Sequence, residues 1–222
     1  LCMGWMSCSH SGKEHSSLPD PRTLDKSVPE YKNPFHPSTY AHFVARKDYK
    51  KTYDIYKDDT LLKRTPKKSR KIFVCLNEQR GQYLVDGLVA MDFPLSSGVK
   101  AYPTKTGDYT VISKKEDHVS NLYGKMYDAE GKCINYNAES TDPVPEGGRF
   151  DGSPMPYWQR LTNAGLGLHV GKVRRHPISH GCVRLPRNVA EILYKQTSIG
   201  TPVTIRNTPL PVPEAQKAPA GQ

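Results

Sequence analysis

From residue 71 onwards, the hydrophobic positions fall in short runs of β-branched and aromatic residues separated by turn residues. Such runs are typical of strands, and tight turns between them are typical of antiparallel hairpins. The first three predicted strands form a meander with turns at residues 78–81 and at Asp86-Gly87. The predicted strands cover residues 72–77, 82–85, 88–95, 107–113, 132–136, 165–170 and 201–206. The pattern therefore predicts a mainly β domain.

Two segments show helical spacing instead. Residues 187–197 follow Pro186 and carry Val189, Ile192 and Leu193 on one face, which predicts a helix. Residues 39–62 contain five aromatic residues with some helical spacing, and we expect them to form an arm packed on the main domain. The expected fold class is thus a mainly β domain with one or two short helices, preceded by a partly helical N-terminal arm.

Prolines are concentrated at both ends of the chain. Those at positions 19, 21, 29, 34 and 37 interrupt every candidate element, so we expect a tether or extended strap there. Four prolines in residues 209–222 predict a disordered tail. The expected organisation is a leader and tether (1–38), an arm (39–70), the main domain (71–207) and a tail (208–222).

The charge is unevenly distributed. The 222 residues carry 32 Lys and Arg against 22 Asp and Glu, a net charge of +10. Residues 1–70 hold 14 basic and 8 acidic residues, an excess of six, whereas residues 71–207 hold 17 and 13. The densest basic run, residues 64–71, has no interleaved aromatic residues, and no groove-reading motif occurs, so nucleic acid is not an expected partner. No stretch approaches 18 consecutive apolar residues, which excludes a membrane-spanning helix from the given sequence.

The five cysteines, at positions 2, 8, 75, 133 and 182, are too few and too scattered for a disulfide scaffold or a paired CxxC zinc site. Their odd number leaves at least one thiol unpaired within the chain. Cys75 and Cys133 lie in predicted strands and are expected to be buried thiols rather than a disulfide. We expect no metal and no cofactor.

Cys182 is the strongest candidate for chemistry. A thiol becomes nucleophilic when His⁺, Arg or oriented backbone N–H groups lower its pKa, and Cys182 follows a Ser-His-Gly turn and precedes Arg184 by two residues. Gly181 lacks a Cβ, so backbone amides can approach a reacting carbonyl there. His169 ends an apolar strand and could direct its imidazole at the thiol. His176, in a predicted exposed loop, is a weaker candidate base.

A zinc site is the alternative for the same residue types. His169, His180 and Cys182 include both kinds of zinc ligand. His180 and Cys182 flank a single glycine, however, and this gives cramped ligand spacing. We therefore favour a nucleophilic thiol over a metal site.

The segment Ser179-His180-Gly181-Cys182-Val183-Arg184-Leu185, preceded by a strand that ends in His169, resembles the signature of the L,D-transpeptidases with a YkuD-type catalytic domain. Weaker resemblance extends to residues 102–109, 122–126 and 155–158, and the similarity covers about residues 71–207. It implies a YkuD-like β-sandwich or barrel. One departure is that Val170 separates His169 from Gly171, where many members have Gly directly after the His.

The resemblance also implies roles for individual residues. Cys182 would be the acyl-accepting nucleophile and His169 its base. Ser179 and His180 would shape the turn, and the N–H groups of Gly181 and Cys182 would bind the oxyanion. Arg184 would organise the pocket or bind a substrate carboxylate, which suits its planar guanidinium. Tyr157 and Trp158 are candidate substrate-binding residues, with a location in the core as the alternative.

The implied reaction is acyl transfer on peptidoglycan stem peptides. The thiolate attacks the carbonyl of the third residue of a stem tetrapeptide, D-Ala leaves, and an amine of a neighbouring stem takes the thioester. Carbapenem-type β-lactams are expected inhibitors that acylate Cys182. Two alternatives stay open: an L,D-carboxypeptidase of the same fold, in which water takes the thioester, and a non-catalytic module that binds the cell wall through the basic N-terminal third.

The first eight residues resemble the end of an export signal. Residues 1–7 are apolar or small, and Ser7-Cys8 resembles the end of a bacterial lipoprotein signal, although Trp5 stands where Leu is usual. Cys8 is therefore a candidate lipidation site that would attach the protein to a membrane; a plain spacer or another cleavage point is the alternative. The expected location is the bacterial cell envelope, in the periplasm or on the outer face of a membrane.

Overall fold

The computed structural model describes residues 19–64 and 69–217. Two sheets and three short α-helices are its main regular elements, joined by turns and loops. The N-terminal elements are α1 (Tyr40–Ala45), β1 (Tyr56–Lys57) and α2 (Asp59–Leu62). The strands that follow are β2 (Arg70–Cys75), β3 (Arg80–Val85), β4 (Leu88–Pro94), β5 (Gly107–Thr110), β6 (Ser113–Tyr127), β7 (Cys133–Glu139), β8 (Arg149–Arg160), β9 (Gly167–Val170) and β10 (Val183–Leu185). Helix α3 (Arg187–Gln196) and strand β11 (Pro202–Arg206) complete the set.

The first sheet has six strands in the order β1-β4-β3-β2-β11-β5, and the second has five in the order β10-β9-β8-β6-β7. Two pairs are parallel, β11 with β2 and β10 with β9, and the other pairs are antiparallel. The main apolar core contains residues from β2, β3, β4, β9, β10, β11 and α3. The expected mainly β fold with few helices is confirmed.

The predicted meander corresponds to β2, β3 and β4, and nearly every residue of β3 and β4 is buried. Both faces are covered because the arm packs on the side opposite the main core. Tyr40, Phe43 and Val44 of the arm form a second apolar cluster with Leu84 and Val89 of the meander. Because both faces are covered, β4 is apolar at every position except Asp92 rather than strictly alternating.

The arm is held by local capping as well as by packing. The side chain of Thr39 accepts a hydrogen bond from the amide of His42 and begins α1, and Asp58 accepts from Thr60 and Leu61 and begins α2. Only these two short stretches of the 39–62 segment are helical. Strand β1, between them, pairs with β4.

Strands β6 and β8 were not predicted from the sequence. They are 15 and 12 residues long and pair with each other along most of their length. Most of their residues are exposed or half-buried, so their sequences carry charges and prolines in place of an apolar alternation. These residues form strands because they pair with each other, and not because they bury an apolar face.

The two proline-rich segments differ from their predictions within the described residues. Phe35, in the expected tether, is buried against Ala41 and Ala45. In the tail, which was expected to be disordered, Leu210 is buried and the side chain of Gln216 bonds to both the amide and the carbonyl of Val89. Proline lacks a backbone N–H donor, but the side chains of neighbouring residues can still pack and form hydrogen bonds. Phe35 holds the first segment in this way, and Leu210 and Gln216 hold the second.

Cys75 is buried and Cys133 is partly exposed, and both are free thiols. The exposure of Cys133 differs from the expectation because β7 is an edge strand. No helix in residues 19–64 and 69–217 is long and apolar enough to cross a membrane. Cys8 and the rest of the expected leader lie outside the described residues.

Candidate active site

Two neighbouring parallel strands bring His169 and Cys182 to one place. In the pairing of β9 with β10, His169 lies opposite Arg184, and Cys182 directly precedes β10. Side chains two residues apart on a strand point to the same face, so Cys182 and Arg184 lie on the face that His169 also occupies. All three side chains line one cavity of about 330 Å³.

The thiol of Cys182 is largely enclosed and hydrogen-bonded. Its Sγ donates to the carbonyl oxygen of Gly165 at 3.3 Å. Burial raises the pKa of the Cys182 thiol above its usual value, although the backbone N–H of Gly167 and the charge of Arg184 act in the opposite direction. The sequence predicted a lowered pKa. Two of the expected causes, a cation and a backbone N–H, are present, but desolvation outweighs them.

His169 is buried and its tautomer is fixed by a neighbour. The Nδ1 atom lies 2.8 Å from the carbonyl oxygen of Val170, so Nδ1 carries the proton and donates it. The Nε2 atom therefore keeps its lone pair and is the basic nitrogen. Burial lowers the pKa of His169 to about 4, with smaller contributions from Arg184 and His118. At neutral pH the site thus contains a neutral imidazole beside a neutral thiol.

An aromatic side chain on the neighbouring strand of the same sheet contacts the imidazole. The ring of Trp158 lies 5.8 Å from that of His169, and it stacks on His118 at 5.0 Å. Trp158 is buried, so it restricts the orientation of His169. The group that orients the base, which the sequence left undefined, is the carbonyl of Val170 together with this ring.

The turn before Cys182 is closed by Ser179. The Oγ of Ser179 donates to the carbonyl oxygen of Cys182 at 2.5 Å and accepts from the amide of Gly181 at 3.2 Å. Gly181 has a φ of 108°, a conformation that favours glycine. The amide of Gly181 is thus already engaged by Ser179. His180 lies between the rings of Tyr102, at 4.8 Å, and Tyr123, at 4.4 Å.

Two residues that the sequence analysis did not assign hold this turn from the other side. The hydroxyl of Thr104 accepts from the amide of Gly98 at 2.8 Å and donates to the carbonyl oxygen of Gly181 at 2.6 Å. A Cβ on Gly98 would lie 2.8 Å from the Cα of Gly181, so only glycine allows this contact. One sequence feature could have indicated a role for Thr104: it lies in residues 102–109, which resemble a segment of the family.

In this chain Val170 separates His169 from Gly171, whereas many family members have glycine directly after the histidine. The contacts of Gly171 explain why glycine is needed at position 171. A Cβ at position 171 would lie 2.8 Å from the Cδ and Cγ atoms of the Arg184 side chain. The glycine therefore makes room for Arg184 rather than for His169. Arg184 is held by its backbone as well, since its amide and carbonyl both bond to Ser96.

A second cavity, of about 480 Å³, is also lined by Cys182. It contains Trp158 and the cations Lys105 and Arg160, whereas the first cavity contains Lys172 and Arg184. Both cavities include His180, Tyr123 and Cys182. The thiol therefore lies where two openings meet, each with basic side chains.

Tyr157 and His176 line neither of these cavities. Tyr157 packs on the main core, and its ring lies 5.6 Å from that of Tyr194 in α3. His176 is exposed and bonds to the carbonyl of Arg174. Among the described residues, no group of three or more His, Cys, Asp or Glu side chains could hold a metal ion.

Comparison with known proteins places this site in a family. The family model of YkuD, the L,D-transpeptidase catalytic domain, matches residues 69–205. A curated relative, the probable L,D-transpeptidase 3 of Mycobacterium tuberculosis, is 32% identical over 120 residues, which cover 51% of this chain and 38% of that protein. The chain therefore matches well under half the length of that relative.

Similar solved structures include an L,D-transpeptidase from Mycobacterium smegmatis, with 21% identity and a TM-score of 0.48 over 62% of this chain and 58% of that one. Another is L,D-transpeptidase 3 from Mycobacterium tuberculosis in complex with a faropenem-derived adduct, with 23% identity, a TM-score of 0.48, and coverage of 62% and 60%. The family match includes the strands that carry His169 and the segment around Cys182, and it extends over more than half of the chain. The chain accordingly belongs to the YkuD family of L,D-transpeptidase catalytic domains.

Proposed function

We propose that this protein is a cysteine-dependent L,D-transpeptidase that forms or remodels peptidoglycan cross-links through a thioester on Cys182. The observation that carries the proposal is the placement of His169 on β9 and of Cys182 directly before the adjacent parallel strand β10, with both side chains lining one cavity. A histidine and a thiol that line the same cavity can act together in nucleophilic acyl transfer, with the histidine as the base. Membership of the YkuD family supports the same reaction class.

The first step acylates the thiol. The Nε2 atom of His169 takes the proton of Cys182 as Sγ attacks the carbonyl carbon of the third residue of a stem tetrapeptide. The tetrahedral oxyanion collapses, the bond to D-Ala breaks, and the protonated His169 returns its proton to the departing amine. The products are a thioester on Sγ, free D-Ala and neutral His169.

The second step transfers the acyl group. An amine from a neighbouring stem attacks the thioester carbonyl, His169 takes one of its protons, and the Cys182 thiolate leaves and is reprotonated. The net result is a new amide bond. Burial lowers the pKa of His169 and raises that of Cys182, so both groups are neutral at rest and the proton has to move to His169 during the attack.

The two cavities support a reaction with two peptide substrates. Both reach Cys182, so one can hold the acyl donor while the other admits the acceptor amine. Arg184 lines the first cavity and Arg160 the second, and a guanidinium is suited to binding a peptide carboxylate. Water in the acceptor position would give an L,D-carboxypeptidase instead.

Purified protein incubated with stem tetrapeptides and analysed by mass spectrometry tests the proposal. We expect cross-linked dimers and release of D-Ala, with neither formed by Cys182→Ala. Tripeptide alone would identify the carboxypeptidase. Unchanged tetrapeptide, with intact sacculi still retained on the protein, would favour the non-catalytic wall-binding module and contradict both enzymes.

Acylation by a carbapenem offers a direct probe of the same thiol. The strained amide of a β-lactam is an acyl donor with no separate leaving group, so the enzyme stays acylated. We expect imipenem to add its full mass to the protein and Cys182→Ala to gain none. An adduct that persists in Cys182→Ala would contradict the assignment of the nucleophile.

Peptidoglycan lies outside the cytoplasmic membrane, so the proposed activity requires export to the cell envelope. The support is the sequence of residues 1–8, with Cys8 as the candidate lipid attachment site. Metabolic labelling with a fatty acid tests attachment. Label is expected on the wild type and not on Cys8→Ala, and label on both would contradict the assignment of Cys8.

A further inference from the structure

Arg175 joins the loop between β9 and β10 to the N-terminal arm. Its guanidinium donates to the carbonyl oxygen of Thr52 at 2.7 Å and to that of Glu78 at 2.9 Å. Thr52 belongs to the arm, whereas Glu78 lies in the turn between β2 and β3. One half-buried side chain therefore bonds to two segments that are distant from the loop in sequence.

The carbonyl of Thr52 is itself held by a buried cluster. Arg80, which is fully buried, donates to the same oxygen at 3.1 Å and forms a 2.6 Å ion pair with Asp92. The other carboxylate oxygen of Asp92 accepts the hydroxyls of Tyr40 and Tyr49, each at 2.8 Å. Buried charges are costly unless they are paired and hydrogen-bonded, and a satisfied network of this kind is rigid.

The loop that Arg175 anchors leads into the turn before Cys182. Arg175 has a φ of 55°, a conformation that a side-chain-bearing residue keeps only where surrounding contacts hold it. Four residues later, the amide of Ser179 donates to the carbonyl of Ser97 at 3.0 Å, and its Oγ bonds to Cys182. The segment is thus fixed at both ends, by the arm at Arg175 and by the end of β4 at Ser179.

We propose that Arg175 is a positioning residue for the acyl transfer, and that the arm, through Thr52, is a working part of the catalytic unit. This inference rests on the function proposed above for Cys182. The family match begins at residue 69, so the arm contact is supplied by a segment that the match does not cover. Arg175 acts on Cys182 through Ser179 and does not itself line either cavity.

Three full-length variants test the proposal. Arg175→Met removes the guanidinium, Arg175→Lys keeps a cation that can bond to one of the two carbonyls, and Arg174→Met makes the same charge change at the exposed neighbouring residue. Thermal unfolding is measured first. Acylation by imipenem is then followed by mass spectrometry over a range of concentrations, at a temperature where every variant is folded.

We expect Arg175→Met to lower the maximal acylation rate constant at least about tenfold, because small misplacements of reacting groups cost this much or more. The imipenem concentration that gives half-maximal rate should change little. Arg175→Lys should recover part of the rate, and Arg174→Met should match the wild type. Hydrogen exchange at the amides of residues 178–182 should become faster in Arg175→Met and not in Arg174→Met. If Arg175→Met does not fold, Arg175→Gln takes its place with the same expectations.

Two results overturn the inference. The first is that the wild type reacts with imipenem and Arg175→Met reacts equally fast. This result would leave the proposed function intact. The second is unchanged hydrogen exchange at residues 178–182. A wild type that forms no adduct would instead contradict the proposed function, and hydrogen exchange would still decide whether Arg175 orders the turn.

Discussion

The hydroxyl of Thr104 donates a 2.6 Å hydrogen bond to the carbonyl oxygen of Gly181, the residue directly before Cys182. The same hydroxyl accepts the amide of Gly98, so one buried oxygen joins the end of the β4 segment to the turn that carries the thiol. The position of Cys182 therefore depends on a side chain 78 residues earlier in the sequence.

Thr104→Val keeps the shape of the side chain and removes the hydroxyl, so two buried backbone groups lose a partner. Each such loss costs about 1–3 kcal/mol. We expect a lower free energy of unfolding and a roughly ten- to hundredfold slower acylation by imipenem, as a displaced reacting group would give. Thr104→Ser retains the hydroxyl and should react at close to the wild-type rate. Wild-type acylation by Thr104→Val would show that the turn does not depend on this bond.

The pKa of His169 predicts the pH profile of acylation. With a pKa of about 4, the imidazole stays neutral, and able to accept a proton, throughout pH 5–8. A histidine with the ordinary pKa of about 6.5 would lose roughly thirtyfold of its basic form between pH 8 and pH 5. We expect the imipenem acylation rate constant to change less than about twofold over this range. A decline with a midpoint near pH 6.5 would contradict the buried, neutral base.

The same pKa makes stability depend on pH. Between pH 6.5 and pH 4 the unfolded chain binds a proton at His169 that the folded protein excludes, so stability falls as the pH falls through this window. The contribution is fully present above pH 6.5 and amounts to about 3 kcal/mol. Urea unfolding at pH 7 and pH 4.5 should show this loss in the wild type, and His169→Gln should show less of it. An equal loss of stability in both proteins would show that His169 is not its cause.

The ion pair between Arg80 and Asp92 is fully buried, and removing one member leaves an uncompensated charge. We expect Asp92→Asn to lower the free energy of unfolding by about 3–5 kcal/mol. The exposed pair between Arg149 and Asp151 is the matched control, and Asp151→Asn should cost about 0–1 kcal/mol. Denaturant unfolding of both variants measures the difference. Similar values for the two would show that the buried pair contributes no more than a surface pair.

The sequence predicted the parts of the fold in which burial leaves a pattern. Strands β2, β3 and β4 each contain a run of three or more buried or half-buried apolar residues, and α3 places Val189 and Leu193 in the core. Strands β6 and β8 are largely exposed, so their polar sequences gave no such signal. Their existence depends on pairing between residues far apart in the chain.

The sequence indicated which residues form the candidate site, but it did not indicate the direction in which the pKa of the thiol is shifted. The resemblance around Cys182 and His169 indicated the pair that the structure brings to one cavity. The direction of the thiol pKa was wrong, because neighbours in sequence reveal cations and amides but not the burial that outweighs them. The contact of Thr104 with the turn was missed, because the sequence around Thr104 does not show that its hydroxyl bonds to the carbonyl oxygen of Gly181.

Strand β11 lies inside the six-stranded sheet, between β2 and the edge strand β5, although it is the last strand of the described residues. Its parallel register aligns Val203 with Ile72, so the pairing closes a loop of more than a hundred residues. Such high contact order makes folding slow, and a chain emerging from its N-terminus cannot complete this sheet until residue 206 is free. Strand β5 pairs with β11 in this sheet, so it cannot join the sheet before β11 does.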